Sequence, residues 1–246
     1  MRLMSVAMML LLALATPALA QEWEEFVSPE DGFKVNFPGK PKMTPTTYES
    51  EYGAPLPAHV YAADRGREHY SLTSVDYGPI EQLLTERAKA CPPYADERCT
   101  GFGGGATVGA GYWKTDIRGA LVWASWQYLK RDDMKATHYM WNFMDLVEGH
   151  QLQLTNLKDK SRTFVSIYMH MNKLYVLEGT VPAGYPPPAL FQQSIGFVDK
   201  AGNGIRYRDY YDNDYPPPPL AGRGGGAGPA AAPNAAPAGQ APAAPQ

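Results

Sequence analysis

Phe33, Val35 and Phe37 alternate with the polar Lys34 and Asn36, the two-residue period of a strand with one buried face. Two turn signals bracket this run. Before it, Ser28-Pro29-Glu30-Asp31-Gly32 offers a proline suited to the second turn position and a glycine able to take positive φ, so a hairpin joins a strand at 23–27 to one at 33–37. After it, Pro38 and Gly39 fill the two central positions of a type II turn. Further strand-like runs cover 46–52, 58–63 and 70–77.

The period then changes. In IEQLLTERAKA, Ile80, Leu83, Leu84 and Ala88 share one face while Glu81, Glu86, Arg87 and Lys89 take the rest, which predicts an amphipathic helix. Residues 116–131 suit either a buried helix or a buried strand; we read a helix, because Val122 is the only β-branched residue between Ala120 and Leu129. From 137 the pattern returns to strands, at 137–147, 151–155, 163–171 and 174–181, separated by Gly149, Lys158-Asp159-Lys160 and Asn172-Lys173. Connections this short imply antiparallel pairing. In the third of these runs Val165, Ile167, Met169 and Met171 face one way and Phe164, Ser166, Tyr168 and His170 the other. Both faces are largely apolar, so a covering layer is expected on each side of the sheet. A short helix at 188–195 and a Gly202-Asn203-Gly204 turn complete the pattern.

Composition adds two segments outside this body. MRLMSVAMMLLLALATPALA combines one base at Arg2, an apolar stretch and the small-residue ending Ala18-Leu19-Ala20, the signature of a secretory leader cut between Ala20 and Gln21. Thr16-Pro17 breaks the run short of a membrane span, so no transmembrane segment is expected once the leader is removed. The expected organisation is a leader at 1–20, one α+β domain at 21–207, and a disordered tail at 208–246 rich in Pro, Ala and Gly. Loss of Arg2 takes the formal net charge from −3 to −4. A near-neutral chain without a Lys/Arg cluster carries no electrostatic footprint for nucleic acid. The expected location is periplasmic or secreted. In that oxidising setting Cys91 and Cys99, the only two cysteines and close in sequence, are expected to form a structural disulfide.

Candidate chemistry is sparse. Gly101 to Ala106, GFGGGA, fits the loose dinucleotide pattern, but a cysteine loop rather than a strand precedes it, so a loop is the better reading. Met169-His170-Met171 carries copper-ligand types, yet on one strand His170 points away from both methionines; methionines as core filler and His170 as a half-exposed residue are expected instead. His59, His69, His138 and His150 show no ligand spacing, and Asp209, Asp212 and Asp214 lack the glycine and distal glutamate of a calcium loop. No G-x-S-x-G elbow is present, and the cysteines lack C-x-x-C spacing. No catalytic residue, metal ligand or cofactor is therefore expected. The one candidate pocket is aromatic, with Trp123, Trp126, Tyr139 and Trp141 as its lining; large rings also serve as core filler.

Trp23, the run from Phe33 to Pro41, Val147-Glu148-Gly149, Leu174-Tyr175-Val176-Leu177 and the stretch from Leu190 to Phe197 together resemble bacterial secreted proteins similar to the PsbP-like α/β/α sandwich domains. The resemblance spans residues 23–207, and the segment between Cys91 and Gly111 departs from it. It implies an antiparallel sheet with helices packed on it, and a mostly non-catalytic accessory or binding role. Two functional readings follow from the sequence, the first favoured by a complete domain without a recognisable catalytic set and the second an alternative that rests on the aromatic residues. The first is a non-enzymatic exported module of the cell envelope that docks a partner protein or envelope component; the second is a binder of, or enzyme on, a small apolar ligand in the aromatic pocket.

Overall fold

The computed structural model describes residues 22–92 and 112–220. The leader with its Ala20–Gln21 cleavage site, the Gly101 to Ala106 run and Cys99 lie outside the described residues, and with Cys99 so does the expected bridge to Cys91.

Eleven strands form two antiparallel sheets among the described residues. The larger has the order β3-β4-β5-β9-β8-β7-β6. Its members are β3 (Lys42–Glu49), β4 (Pro55–Arg65), β5 (Glu68–Asp76), β6 (Met134–Met144), β7 (Val147–Asn156), β8 (Arg162–His170) and β9 (Lys173–Val181). The smaller joins β1 (Trp23–Ser28), β2 (Phe33–Pro38), β10 (Gly196–Val198) and β11 (Gly204–Ile205) in that order. Helices α1 (Ile80–Lys89) and α2 (Tyr112–Leu129) connect the two halves of the large sheet, and a single turn, α3 (Ala189–Gln192), precedes β10. The ambiguous apolar segment is thus helical, and the helix starts at Tyr112, earlier than the pattern suggested.

The large sheet is covered on both faces, and the two covers differ. On one face Leu152, Val165, Ile167, Leu174 and Val176 pack against Ile80 and Leu84 of α1 and Ile117, Ala120 and Ala124 of α2, giving an aliphatic core. On the other, Tyr61, Tyr70, Tyr168 and Tyr175 pack against Phe33, Phe37 and Phe197 of the small sheet and Phe191 of α3, giving an aromatic one. Both faces of β8 are buried as its apolar pattern requires: Val165, Ile167 and Met169 on the helix side, Phe164 and Tyr168 on the other. The sandwich expectation holds only for the helix side. The opposite layer is mainly β, because the alternating Phe33-Val35-Phe37 run presents its rings to the large sheet as a strand, not as a helix stripe.

Turn geometry corrects several boundaries. Gly32 and Gly39 take φ of 75° and 81°, so both turn signals around the opening strand are real. Gly149, in contrast, is no separator. The β6–β7 turn is Asp145-Leu146, with φ of 48° and 66°, and Gly149 lies inside β7 opposite Tyr168. Likewise Met171 and Asn172, at φ of 50° and 57°, form the β8–β9 turn, which leaves Met171 exposed instead of in the core. His170 is buried, not half-exposed: its ring stacks on Phe197 with centroids 4.2 Å apart, and Nε2 lies 2.7 Å from the Tyr207 hydroxyl. Burial pushes its pKa down to about 4.

The domain boundary at 207 also moves. Tyr211 is buried in the aromatic core; its N–H bonds Leu146 O at 3.0 Å, and its hydroxyl accepts from Met171 N–H at 2.7 Å. Asn213 Nδ2 donates to Asn172 Oδ1, and Arg118 pairs with Asp214. The tail-like composition therefore begins before the fold ends, because Tyr211 and Asn213 in the acidic stretch find partners at hairpin turns. A chain ended after Tyr207 is expected to melt roughly 5–10 °C below the full chain, the effect of losing one buried tyrosine and its bonds. Differential scanning calorimetry checks this; an unchanged melting temperature would show that residues 208–220 contribute nothing.

Candidate functional site

The two edges of the large sheet are built differently. β3 carries Lys42 and Pro45, the charge and the missing N–H that discourage a further strand. β6 carries neither device along its second half. Its run Tyr139-Met140-Trp141-Asn142-Phe143 holds four large apolar side chains, each 45–63 % exposed. β7 pairs one side of β6, and among the described residues no strand pairs the other. A β-bulge between Ala136 and His138 is the only irregularity in the β6–β7 register.

The rings on this edge stand on one face. Tyr139, Trp141 and Phe143 lie opposite Leu152, His150 and Glu148 of β7, so they project on the helix side beyond the cover that α2 provides. His150 anchors them. It is buried, its Nδ1 lies 2.8 Å from Ser125 Oγ of α2 and 3.1 Å from the Tyr139 hydroxyl, and both the Tyr139 and Trp141 rings meet its imidazole edge-on. Burial lowers the His150 pKa, which favours the neutral ring. Phe143 packs on the exposed ring of Tyr210, 5.3 Å between centroids. Beside Tyr210 a cleft of about 510 Å³ opens between α2 and residues 210–214, with Glu148 in its wall. Burial raises the Glu148 pKa.

The aromatic pocket expected from the sequence does not assemble. Tyr139 and Trp141 stand together on β6, whereas Trp123 Nε1 donates to Glu49 O at the end of β3, the opposite edge of the sheet. Trp126 is half exposed on the outer surface of α2. Two of the four residues therefore share a site and two do not. Met140 and Phe143 complete the edge, and their signal lay in the apolar strand pattern that carried no charge from Tyr139 to Met144.

A second group escaped sequence reasoning altogether. Asp31, buried in the β1–β2 turn, accepts from the Tyr61 hydroxyl at 2.6 Å and bonds His59 Nδ1 at 2.8 Å, while Ser74 lies opposite His59 in the β4–β5 register. These are the residue types of a hydrolytic triad. Ser74 Oγ, however, is buried and makes no hydrogen bond to the ring, so no base activates it as a nucleophile.

Comparison with solved structures gives distant likenesses. The chain is similar to cyanobacterial PsbP. The solution structure of that protein (CyanoP), from Synechocystis sp. PCC 6803, matches at 9% sequence identity and a TM-score of 0.35, covering 69% of this chain and 85% of that one. A likeness this distant is silent on function and on fine geometry. No family model and no curated protein matches the sequence. Among the described residues no helix is long and apolar enough to cross a membrane.

Proposed function

We propose that the protein is a non-enzymatic accessory module of the cell envelope, exported behind its leader, and that it docks a partner protein by accepting an extended segment along β6. The supporting observation is the unguarded stretch from Tyr139 to Phe143 on an edge strand, set against a β3 edge guarded by Lys42 and Pro45. An unpaired edge offers backbone donors and acceptors for a further strand, and alternate rings supply side-chain selectivity. Tyr139 and Trp141 are the type of residue that dominates such contacts, being large, amphipathic and held in place here by His150. The adjoining cleft with Glu148 suits a basic side chain of the docked segment.

A photo-crosslinking residue placed at Trp141, and separately at the exposed Val122 on α2, tests this in cells exporting the full chain. A discrete adduct with another polypeptide is expected from position 141 alone, and it should vanish when Tyr139→Lys is combined with the probe. Equal adducts from both positions, survival of the adduct in the lysine variant, or an adduct only with a second copy of the chain would overturn the proposal.

A further inference from the structure

Where the β1–β2 turn lies over β4, β5 and β9, a cleft of about 250 Å³ is lined by Glu30, Asp31, His59, Ser74, Asp76 and Lys173. It is assembled by register: His59 sits opposite Ser74, and Asp76 opposite Lys173. Asp31 is already committed. One oxygen takes the Tyr61 hydroxyl and His59 Nδ1, and the Lys173 ammonium stands 3.6 Å from the other while donating to Glu30 O at 3.3 Å. A carboxylate against Nδ1 holds the proton there, so the neutral ring turns an Nε2 lone pair outward.

Three further acceptors face the same space without a protein partner. Ser74 is 2 % exposed and its hydroxyl makes no hydrogen bond. Asp76 uses one oxygen on the Gly78 N–H at 2.8 Å, which leaves the second free. The Glu30 carboxylate makes no bond to any described residue. A buried hydroxyl without a partner costs free energy, and it is tolerated where something else supplies the bond. With Lys173 spent on Asp31, the charge left over is negative. Among the described residues no three His, Cys, Asp or Glu side chains converge closely enough to hold a metal ion.

We propose that this cleft binds a small molecule through a primary ammonium group. Three tetrahedral N–H donors match acceptors at Ser74, Asp76 and His59 Nε2 on two neighbouring strands, and the Asp76 and Glu30 charges complement the cation. The volume lies below the ~300 Å³ floor of drug-sized pockets, so the ligand is a short-chain amine. The site is separate from the β6 edge, and its occupancy is independent of docking there.

Butylammonium is the probe, with butanol as the neutral molecule of the same shape. Titrated into the full chain and followed by the His59 ring signals in proton–carbon NMR, butylammonium is expected to shift them saturably, with a dissociation constant on the order of 1 mM. Asp76→Asn, which keeps the acceptor for Gly78 N–H, is expected to weaken binding about tenfold, the loss of one charge-assisted bond; Asp132→Asn, at an exposed position, should leave it unchanged. Ser74→Ala should weaken it without altering the His59 signals of the free protein. No saturable shift would mean that the cleft holds water only, and an equal response to butanol or an undiminished affinity in Asp76→Asn would refute ammonium recognition.

Discussion

Replacing Gly149 by alanine is expected to cost about 3 kcal/mol or more, enough to bring a domain of ordinary stability close to unfolding. A Cβ at this position would stand 2.2 Å from Ile167 O and 2.4 Å from Tyr168 Cδ1. The carbonyl belongs to the β7–β8 ladder and cannot swing aside. The ring is fully buried, and its hydroxyl accepts from Asn142 Nδ2 at 2.8 Å, so the side chain is held across β7 from both ends. Relief therefore requires β7 and β8 to separate. Gly204→Ala, where an added Cβ meets nothing within 4 Å, is the matched control and should change stability by less than about 0.5 kcal/mol. Urea denaturation of the two variants decides the matter: a Gly149→Ala midpoint close to that of the control would mean that Tyr168 does not lie across this position.

Two buried titratable groups on opposite faces of the sheet should offset one another in acid. On the aromatic side, burial holds the His170 pKa near 4 instead of 6.5, so the unfolded chain binds its proton first and stability falls as pH drops from about 6.5 to 4. On the helix side Asp116 is fully buried, and burial raises its pKa to about 6 from 3.8, against the lowering effect of the Ser50 hydroxyl that donates to it at 2.5 Å. Here the folded chain binds the proton first, so stability rises as pH drops from about 6 to 4. Each effect is about 3 kcal/mol at full extent. Asp116→Asn removes one of them. The variant is expected to lose about 3 kcal/mol more than the parent between pH 7 and pH 4, because the His170 penalty then stands unopposed. Chemical denaturation at several pH values compares the two slopes. Parallel slopes would show that Asp116 is ionised at no cost in the folded chain.

What could be read in advance was whatever a single strand or helix decides by itself. Phe33, Val35 and Phe37 declare a face by alternation, and the two apolar faces of β8 declare two covers. What could not be read depended on register between distant strands. Asp31 and His59 are 28 residues apart and meet because the β1–β2 turn lands on β4; nothing local to either residue signals the other. Two hairpins turn on residues without the usual glycine, Asp145-Leu146 and Met171-Asn172, so Gly149 drew the boundary to itself. Trp123 and Trp141 share a composition argument but not an edge, and periodicity alone does not say which edge of a seven-stranded sheet a strand will occupy.

The inequality of the two edges sets a stoichiometry. A sheet that can be extended at both sides propagates, each added copy exposing a fresh site for the next. A sheet sealed by Pro45 and Lys42 on one side and open at Tyr139 to Phe143 on the other has a valence of one. On the docking proposed above, assembly is therefore expected to end at one accepted strand, as a pair and not as a filament.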